Sequence, residues 1–243
     1  MTSEIALILA GALLGGFVNG LSGFGTTLVA LPFWVHAVSP VVAAQLGAAG
    51  GIVGNMQSFR AVWPLIRWQA VAPYIVAGLL GVPLGTYLLP RLDPRTFKLG
   101  VGIIVVSFCL FQLSSRNRLR FLGGGRTADA VVGFFGGFLG GLAGMSGPLP
   151  TMWASLRGLG MDDKRVLFQS FNTVMLTAML CLSAVQGLLS WELGRALVIS
   201  IPCSVLGARL GHWTYSRLAA HHYDLIVLVL LMISGLSLLW GNL

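Results

Sequence analysis

Two glycine-rich segments carry hydroxyls deep inside apolar sequence, and they are where this chain could do chemistry. The first reads Gly15-Gly16-Phe17-Val18-Asn19-Gly20-Leu21-Ser22-Gly23-Phe24-Gly25 and is followed by Thr26 and Thr27. The second, 121 residues later, reads Gly136-Gly137-Phe138-Leu139-Gly140-Gly141-Leu142-Ala143-Gly144-Met145-Ser146 and is followed by Gly147; six of the eleven positions are identical. If the chain turns at these glycines within a bilayer, its backbone groups must face protein or a wet cavity, because lipid cannot satisfy them. Each half-helix leaving such a tip exposes free N–H groups and a positive dipole end, which favour anions. Gly23, Gly25, Gly144 and Gly147 would let backbone approach a ligand closely. Ser22, Thr26, Thr27 and Ser146 would add hydroxyl donors. Two such tips could clamp one small tetrahedral or pyramidal oxyanion.

Four amides extend the candidate site. Asn19, Gln45, Gln169 and Asn172 lie well inside apolar runs and could donate to an oxyanion without adding charge. A structural reading competes at every one of these positions: Gly-x-x-x-Gly spacing also serves close helix packing, and buried amides also bond neighbouring helices. Packing is the expected role for Gly81/Gly85 and Gly207/Gly211. Asn55 and Gln57, near the end of a run, are expected at the membrane interface.

The elements that must position these residues are membrane helices. The chain has 243 residues, of which 56% are hydrophobic and 9% charged, and a mean hydropathy of +0.87. Soluble domains carry about 25% charged residues, so water is not the solvent for most of this surface. The net charge of +8 sits in short loops between apolar runs, as an orientation signal does, and no nucleic acid is expected as a partner. Cys109, Cys181 and Cys203 each stand alone in an apolar run and form no ligand pattern. No catalytic residue, metal site or cofactor is expected, since the spans hold no cluster of His, Asp, Glu or Cys. An enzyme is therefore disfavoured. The N-terminus has no basic residue before its apolar run, so no signal peptide is expected.

Apolar runs fall at about 5–35, 40–57, 68–90, 96–114, 128–156, 166–189, 194–213 and 223–240. A helix needs about 20 residues to span the hydrocarbon. The runs at 5–35 and 128–156 are too long for one helix, and they hold the repeated glycines. Read as single spans, they leave seven basic residues on each side. Read as hairpins that enter and leave on one side, they place Arg60, Arg67, Arg116, Arg118, Arg120, Arg126, Arg157, Lys164, Arg165 and Arg217 together. Only Arg91, Arg95, Lys98 and Arg195 then oppose those ten. The hairpin reading alone gives a positive-inside bias, with both termini outside and the 115–127 loop in the cytoplasm.

The expected fold class is therefore an all-α polytopic membrane protein. It has two inverted repeats, 1–120 and 121–243, each of three transmembrane helices plus one glycine-tipped helical hairpin. An odd number of crossings per half inverts the second half, and inverted repeats are a common transporter design. Val42-Ala43-Ala44-Gln45 against Val166-Leu167-Phe168-Gln169, and Gly81–Gly85 against Gly207–Gly211, extend the repeat. Arg209 is the one basic residue clearly within a run. It is either an anion-attracting group or a side chain that snorkels to headgroups. The acidic residues all fall at or near loops, so no mid-span proton relay is expected.

Gly144-Met145-Ser146-Gly147-Pro148-Leu149-Pro150 resembles the second-repeat signature of the TauE/SafE family of sulfite exporters, with Gly20-Leu21-Ser22-Gly23-Phe24-Gly25 as its first-repeat counterpart. The resemblance spans nearly the whole chain through its length, paired glycine blocks and basic central loop. Leu149 stands where the family has a second proline after Ser-Gly-Pro, and Pro150 follows one place later. The resemblance implies export of a small sulfur-containing oxyanion, sulfite or an organosulfonate, across the bacterial inner membrane by alternating access at a midplane site. The partners expected are that small anion and the lipid bilayer, with a homodimer as the assembly. An anion channel and an uptake carrier for another small anion remain as alternatives, because sequence does not encode direction.

Overall fold

A computed structural model describes residues 2–114, 124–215, 217 and 220–240 of the chain. The described residues form ten α-helices and no strands. They are α1 (Thr2–Ser22), α2 (Thr26–Trp34), α3 (Pro40–Val62), α4 (Trp68–Leu88), α5 (Pro94–Ser114), α6 (Gly125–Ala143), α7 (Pro148–Leu156), α8 (Met161–Val185), α9 (Trp191–Tyr215) and α10 (Ala220–Trp240). Six of the eight apolar runs became one helix each. The two long runs broke at their glycines, into α1 and α2 and into α6 and α7. Five segments of the described chain are long and apolar enough to cross a membrane: Ser3–Ser22, Trp68–Arg91, Pro94–Ser114, Asp163–Val185 and Trp191–Thr214. Leu80, Ile103, Leu110, Val198 and Ile233 are among many large apolar side chains exposed on the outside, a surface suited to lipid. The joint expected between the halves falls mostly on 115–123, outside the described residues.

Local chemistry sets the helix ends. Asp93 accepts a 2.8 Å hydrogen bond from the Thr96 N–H and caps α5; the Thr96 hydroxyl first, and then this N–H, hold its carboxyl below the usual carboxylate range. Ser190 caps α9 through the Leu193 N–H at 3.1 Å. At the end of α6, Gly144 takes a left-handed φ of 66°. Its N–H bonds the Gly140 carbonyl, the 5→1 bond of an αL C-cap, and the Met145 N–H bonds the Leu139 carbonyl. The first break uses two left-handed residues, Gly23 at φ 80° and Gly25 at φ 95°.

The two hairpins have unequal arms. α2 runs back beside α1, so that the Trp34 indole N–H reaches the Ile8 carbonyl at 3.1 Å. Nine residues rise only about 14 Å, under half of a hydrocarbon layer of about 30 Å. α2 is therefore too short to span such a layer by itself. A Cβ added at Gly47 would meet Thr27, one at Gly144 the Ala44 carbonyl oxygen, and one at Gly51 Leu176, so both hairpin ends lie against α3, whose middle lies against α8. Those two helices cross antiparallel there, tied by Asn55 Nδ2 to Thr173 Oγ1 at 3.2 Å. Asn55 is fully buried, not interfacial as expected, because α3 continues to Val62 rather than ending near 57. Gln57 is exposed.

Most of the repeated glycines do packing. α1 lies parallel to α9, with Gly16 against Ser204 and Gly20 against Ala208. α4 lies parallel to α6, with Gly78 against Gly137 and Val82 against Gly141. A Cβ at Gly20 would stand 2.1 Å from the Ala208 carbonyl oxygen, and one at Gly85 2.1 Å from that of Phe138. This is small-residue helix packing, the role expected for Gly81/Gly85 and Gly207/Gly211. Each half lends its glycine-rich first helix to a helix of the other half, so the two halves interlock.

Candidate functional site

The two hairpin ends meet each other. The Thr27 hydroxyl at the start of α2 donates to the Gly144 carbonyl at 2.8 Å. A Cβ at Gly147 would lie 2.9 Å from the Phe24 ring. Between the ends is a cavity of about 10 Å³, about the space one water molecule needs. Gly25, Thr26, Thr27, Gly144, Ser146, Gly147 and Asn172, all expected site residues, line it. So do Phe24, Leu28, Gly51, Met145, Pro148 and Leu176, which were not expected.

The donors around the cavity are neutral. Gly25 is the N-cap of α2 and no side chain caps that end. The N–H groups of Thr26, Thr27 and Leu28 therefore lack intrahelical partners. Thr26 Oγ1 accepts from Asn19 Nδ2 at 2.8 Å, which leaves its own hydroxyl proton to donate. The opposite end differs. α7 begins Pro148-Leu149-Pro150 and also has no side-chain cap. Two of its first three residues have no N–H at all, so Leu149 alone supplies one in that turn. In place of amides, this side presents the Ser146 hydroxyl, hydrogen-bonded to Asn172 Oδ1.

The remaining expected residues surround the cavity without lining it. Asn19 orients Thr26. Ser22 folds its hydroxyl back onto the Val18 and Phe24 carbonyls at 2.8 and 2.7 Å, which shapes the turn. Gly23 lies against Gln169, whose Nε2 is 3.1 Å from where a Cβ would stand. Gln169 is 1% exposed, and neither of its side-chain polar atoms has a hydrogen-bond partner. Gln45 is fully buried. Its Nε2 donates to the Leu188 carbonyl at 3.3 Å, and its Oε1 is unpartnered. The arrangement is crossed: the first turn touches Gln169 of α8, and the second abuts Ala44 and Ala48 of α3, on either side of Gln45. Arg209 is exposed on α9 and is not brought to the cavity.

A buried carboxylate was missed. Asp129, in the second turn of α6, is 6% exposed, although acidic residues were expected in or near loops. It accepts from the Tyr74 hydroxyl of α4, from Trp153 Nε1 of α7 at 2.7 Å, and from Arg157 Nη1 at 2.8 and 2.9 Å. The signal available in sequence was the Trp153/Arg157 pair at i, i+4, one face of a helix end. Nothing in the sequence tied that pair to Asp129. Among the described residues, no group of three or more His, Cys, Asp or Glu is placed to hold a metal.

A family model described as "Sulfite exporter TauE/SafE" matches residues 7–238. No curated protein and no solved structure matches the chain.

Proposed function

Because the chain belongs to the TauE/SafE family of sulfite exporters, we propose that it carries a small sulfur oxyanion, sulfite or an organosulfonate, out of the cell by alternating access at the cavity between its hairpin ends. The observation that carries this reading is the meeting of the two glycine turns at one cavity, with helix N-termini that no side chain caps on both sides of it. Thr26, Thr27 and Leu28 N–H groups, the Thr26 hydroxyl and the Asn172 amide are the oxyanion donors, joined by the Ser146 hydroxyl once it turns from Asn172 Oδ1 to the anion. Gln45 and Gln169 stand one shell further out, ready to pair as the ends move. A cavity of about 10 Å³ holds no oxyanion until the Thr27–Gly144 bond opens. Separation of the ends is thus the opening step, which favours a carrier over a fixed pore.

The halves 1–120 and 121–243 are inverted repeats in this reading. Its support is the antiparallel crossing of α3 and α8 and the paired parallel contacts of α1 with α9 and α4 with α6. Both termini face outside and the basic loops face the cytoplasm of an inner-membrane protein. An interior-negative potential then drives a monovalent anion outward with about 2.3 kcal/mol per 100 mV, and no carboxylate relay is needed.

Proteoliposome flux against sulfite, sulfate, thiosulfate, sulfoacetate, taurine and a carboxylate control tests the reading. Saturable flux of one or more sulfur oxyanions, with reporters after Leu243 placed outside the cytoplasm, is the expected result. Ohmic single-channel current would replace the carrier with a channel. A cytoplasmic C-terminus would remove the two-hairpin topology.

A further inference from the structure

The N-terminal ends of α4, α6 and α8 enclose a second cavity, of about 400 Å³. We propose that it is a separate oxyanion site, a vestibule that takes the small anion before it reaches the hairpin ends. The inference rests on the export reading for its direction. Its walls carry Arg67, Arg126 and Arg157 with Asp129 and Asp163; its floor is apolar, with Val166 and Leu167 of α8.

The charges are not all equally available. Asp129 is saturated by Tyr74, Trp153 and Arg157, so that pair forms a neutral, fixed wall. Arg67 and Arg126 are exposed and line this space, opposed among the other described lining residues by Asp163. The three helices run parallel, as the contacts of Tyr74 with Gly133 and of Gly78 with Gly137 and Met175 require, so three positive dipole ends open on one cavity. Guanidinium groups match oxyanion geometry with paired donors.

A route inward lies along α8. From Leu167 on the vestibule floor to Asn172 on the cavity between the hairpin ends is five residues, about 8 Å of helix. Gln169 stands between them, buried, with both polar atoms unpartnered. A buried amide without partners is costly, and a passing oxyanion would accept from its nitrogen.

The other half offers a control. Its corresponding cavity, about 380 Å³ between the starts of α1 and α9 and residues 37–38, is lined by Glu4, Glu192 and Arg195. The charge balance is reversed there. One face of the protein collects anions and the other does not, a polarity that suits outward transport.

The test uses the full chain in proteoliposomes, with sulfite as probe. The double variant Arg67→Gln/Arg126→Gln should raise KM roughly three- to ten-fold, as loss of two part-exposed charge contacts implies. Vmax should hold, and the salt dependence of KM should weaken. Arg195→Gln should leave KM unchanged. An unchanged KM in the double variant would overturn the vestibule. Thermal stabilisation of the detergent-purified chain by sulfite reads binding without transport: the share that survives Asn172→Ala should vanish when Arg67 and Arg126 are replaced. If flux fails for every anion while that share persists, the exporter reading falls and the vestibule stands. If flux persists and stabilisation ignores the two arginines, the vestibule falls alone. Stabilisation through these arginines by phosphatidylglycerol, and not by sulfite, would make the cavity a lipid headgroup site and overturn its loading role.

Discussion

The two hairpins solve one problem with different chemistry. The first turns on two left-handed glycines and leaves through Thr26 and Thr27, with three free N–H groups aimed at the cavity. The second turns on Gly144 and leaves through Pro148 and Pro150, with one. Their far ends also differ. Trp34 of α2 is tied to the Ile8 backbone carbonyl; Trp153 of α7 is tied to the Asp129 carboxylate. Ile8 and Asp129 are 121 residues apart, the spacing of the repeated glycines. At matched places, one half uses a neutral anchor and the other a charged one that also binds Tyr74 and Arg157. The turn is common to both ends, but the first offers more free N–H donors and the second is held by a charged anchor.

Four substitutions in the packing and the anchors, and two at the cavity, break or sharpen that comparison. The largest effect is expected where the halves should behave alike. Gly20→Val and Gly141→Val would each drive a side chain into a backbone carbonyl, of Ala208 at 2.1 Å and of Val82 at 2.2 Å. Both should abolish monodisperse protein on size-exclusion chromatography, and survival of either would show that the two glycine seams are not equivalent. Next comes Asp129→Ala, which leaves the Arg157 charge and the Trp153 and Tyr74 donors without their acceptor. Arg157 is about one third exposed, so the loss should fall below the roughly 3–5 kcal/mol of a fully buried pair, at about 2–3 kcal/mol, visible as a lower Tm. Trp34→Phe, which removes a neutral donor at the matched anchor, should cost about 1–3 kcal/mol. Equal losses would erase the difference between anchors.

The smallest effects lie at the cavity. Ser146→Ala removes a hydrogen bond to a charged ligand, worth about 1.5–3 kcal/mol, so sulfite affinity should fall roughly ten-fold or more. Pro148→Ala adds a backbone donor to the weaker end, worth about 0.5–1.5 kcal/mol, and should tighten binding a few-fold. No change in affinity from either would mean that the second end does not touch substrate.

The helices were legible because apolar run length and loop charge are one-dimensional signals. The hairpins were legible because the glycine repeat and the charge count agreed. The cavity was half legible: Thr26, Thr27, Ser146 and Asn172 carry polar atoms in apolar runs and so stand out, whereas Phe24, Met145 and Leu176 look like any core residue. Asp129 was hidden because a carboxylate near a loop reads as solvated until tertiary structure brings Trp153 and Arg157 to it. Gly144 was legible as a turn but not as a contact. The Cβ of a valine there would stand 2.7 Å from the Ala44 carbonyl oxygen at a left-handed φ. Yield should suffer as well as transport.

The Ser234 hydroxyl of α10 donates to the Leu28 carbonyl in the first turn of α2, at 2.5 Å across 206 residues of chain. Translation delivers these partners far apart in time. At about 5–20 residues per second, roughly 10–40 s separate the release of α2 from that of its cover. During that interval a short helix with an uncapped, glycine-turned end is held by α1 and α3 but lacks its α10 cover. The first hairpin to be made is thus the last to be finished, and a chain cut short before α10 exposes it to the quality-control machinery of the membrane.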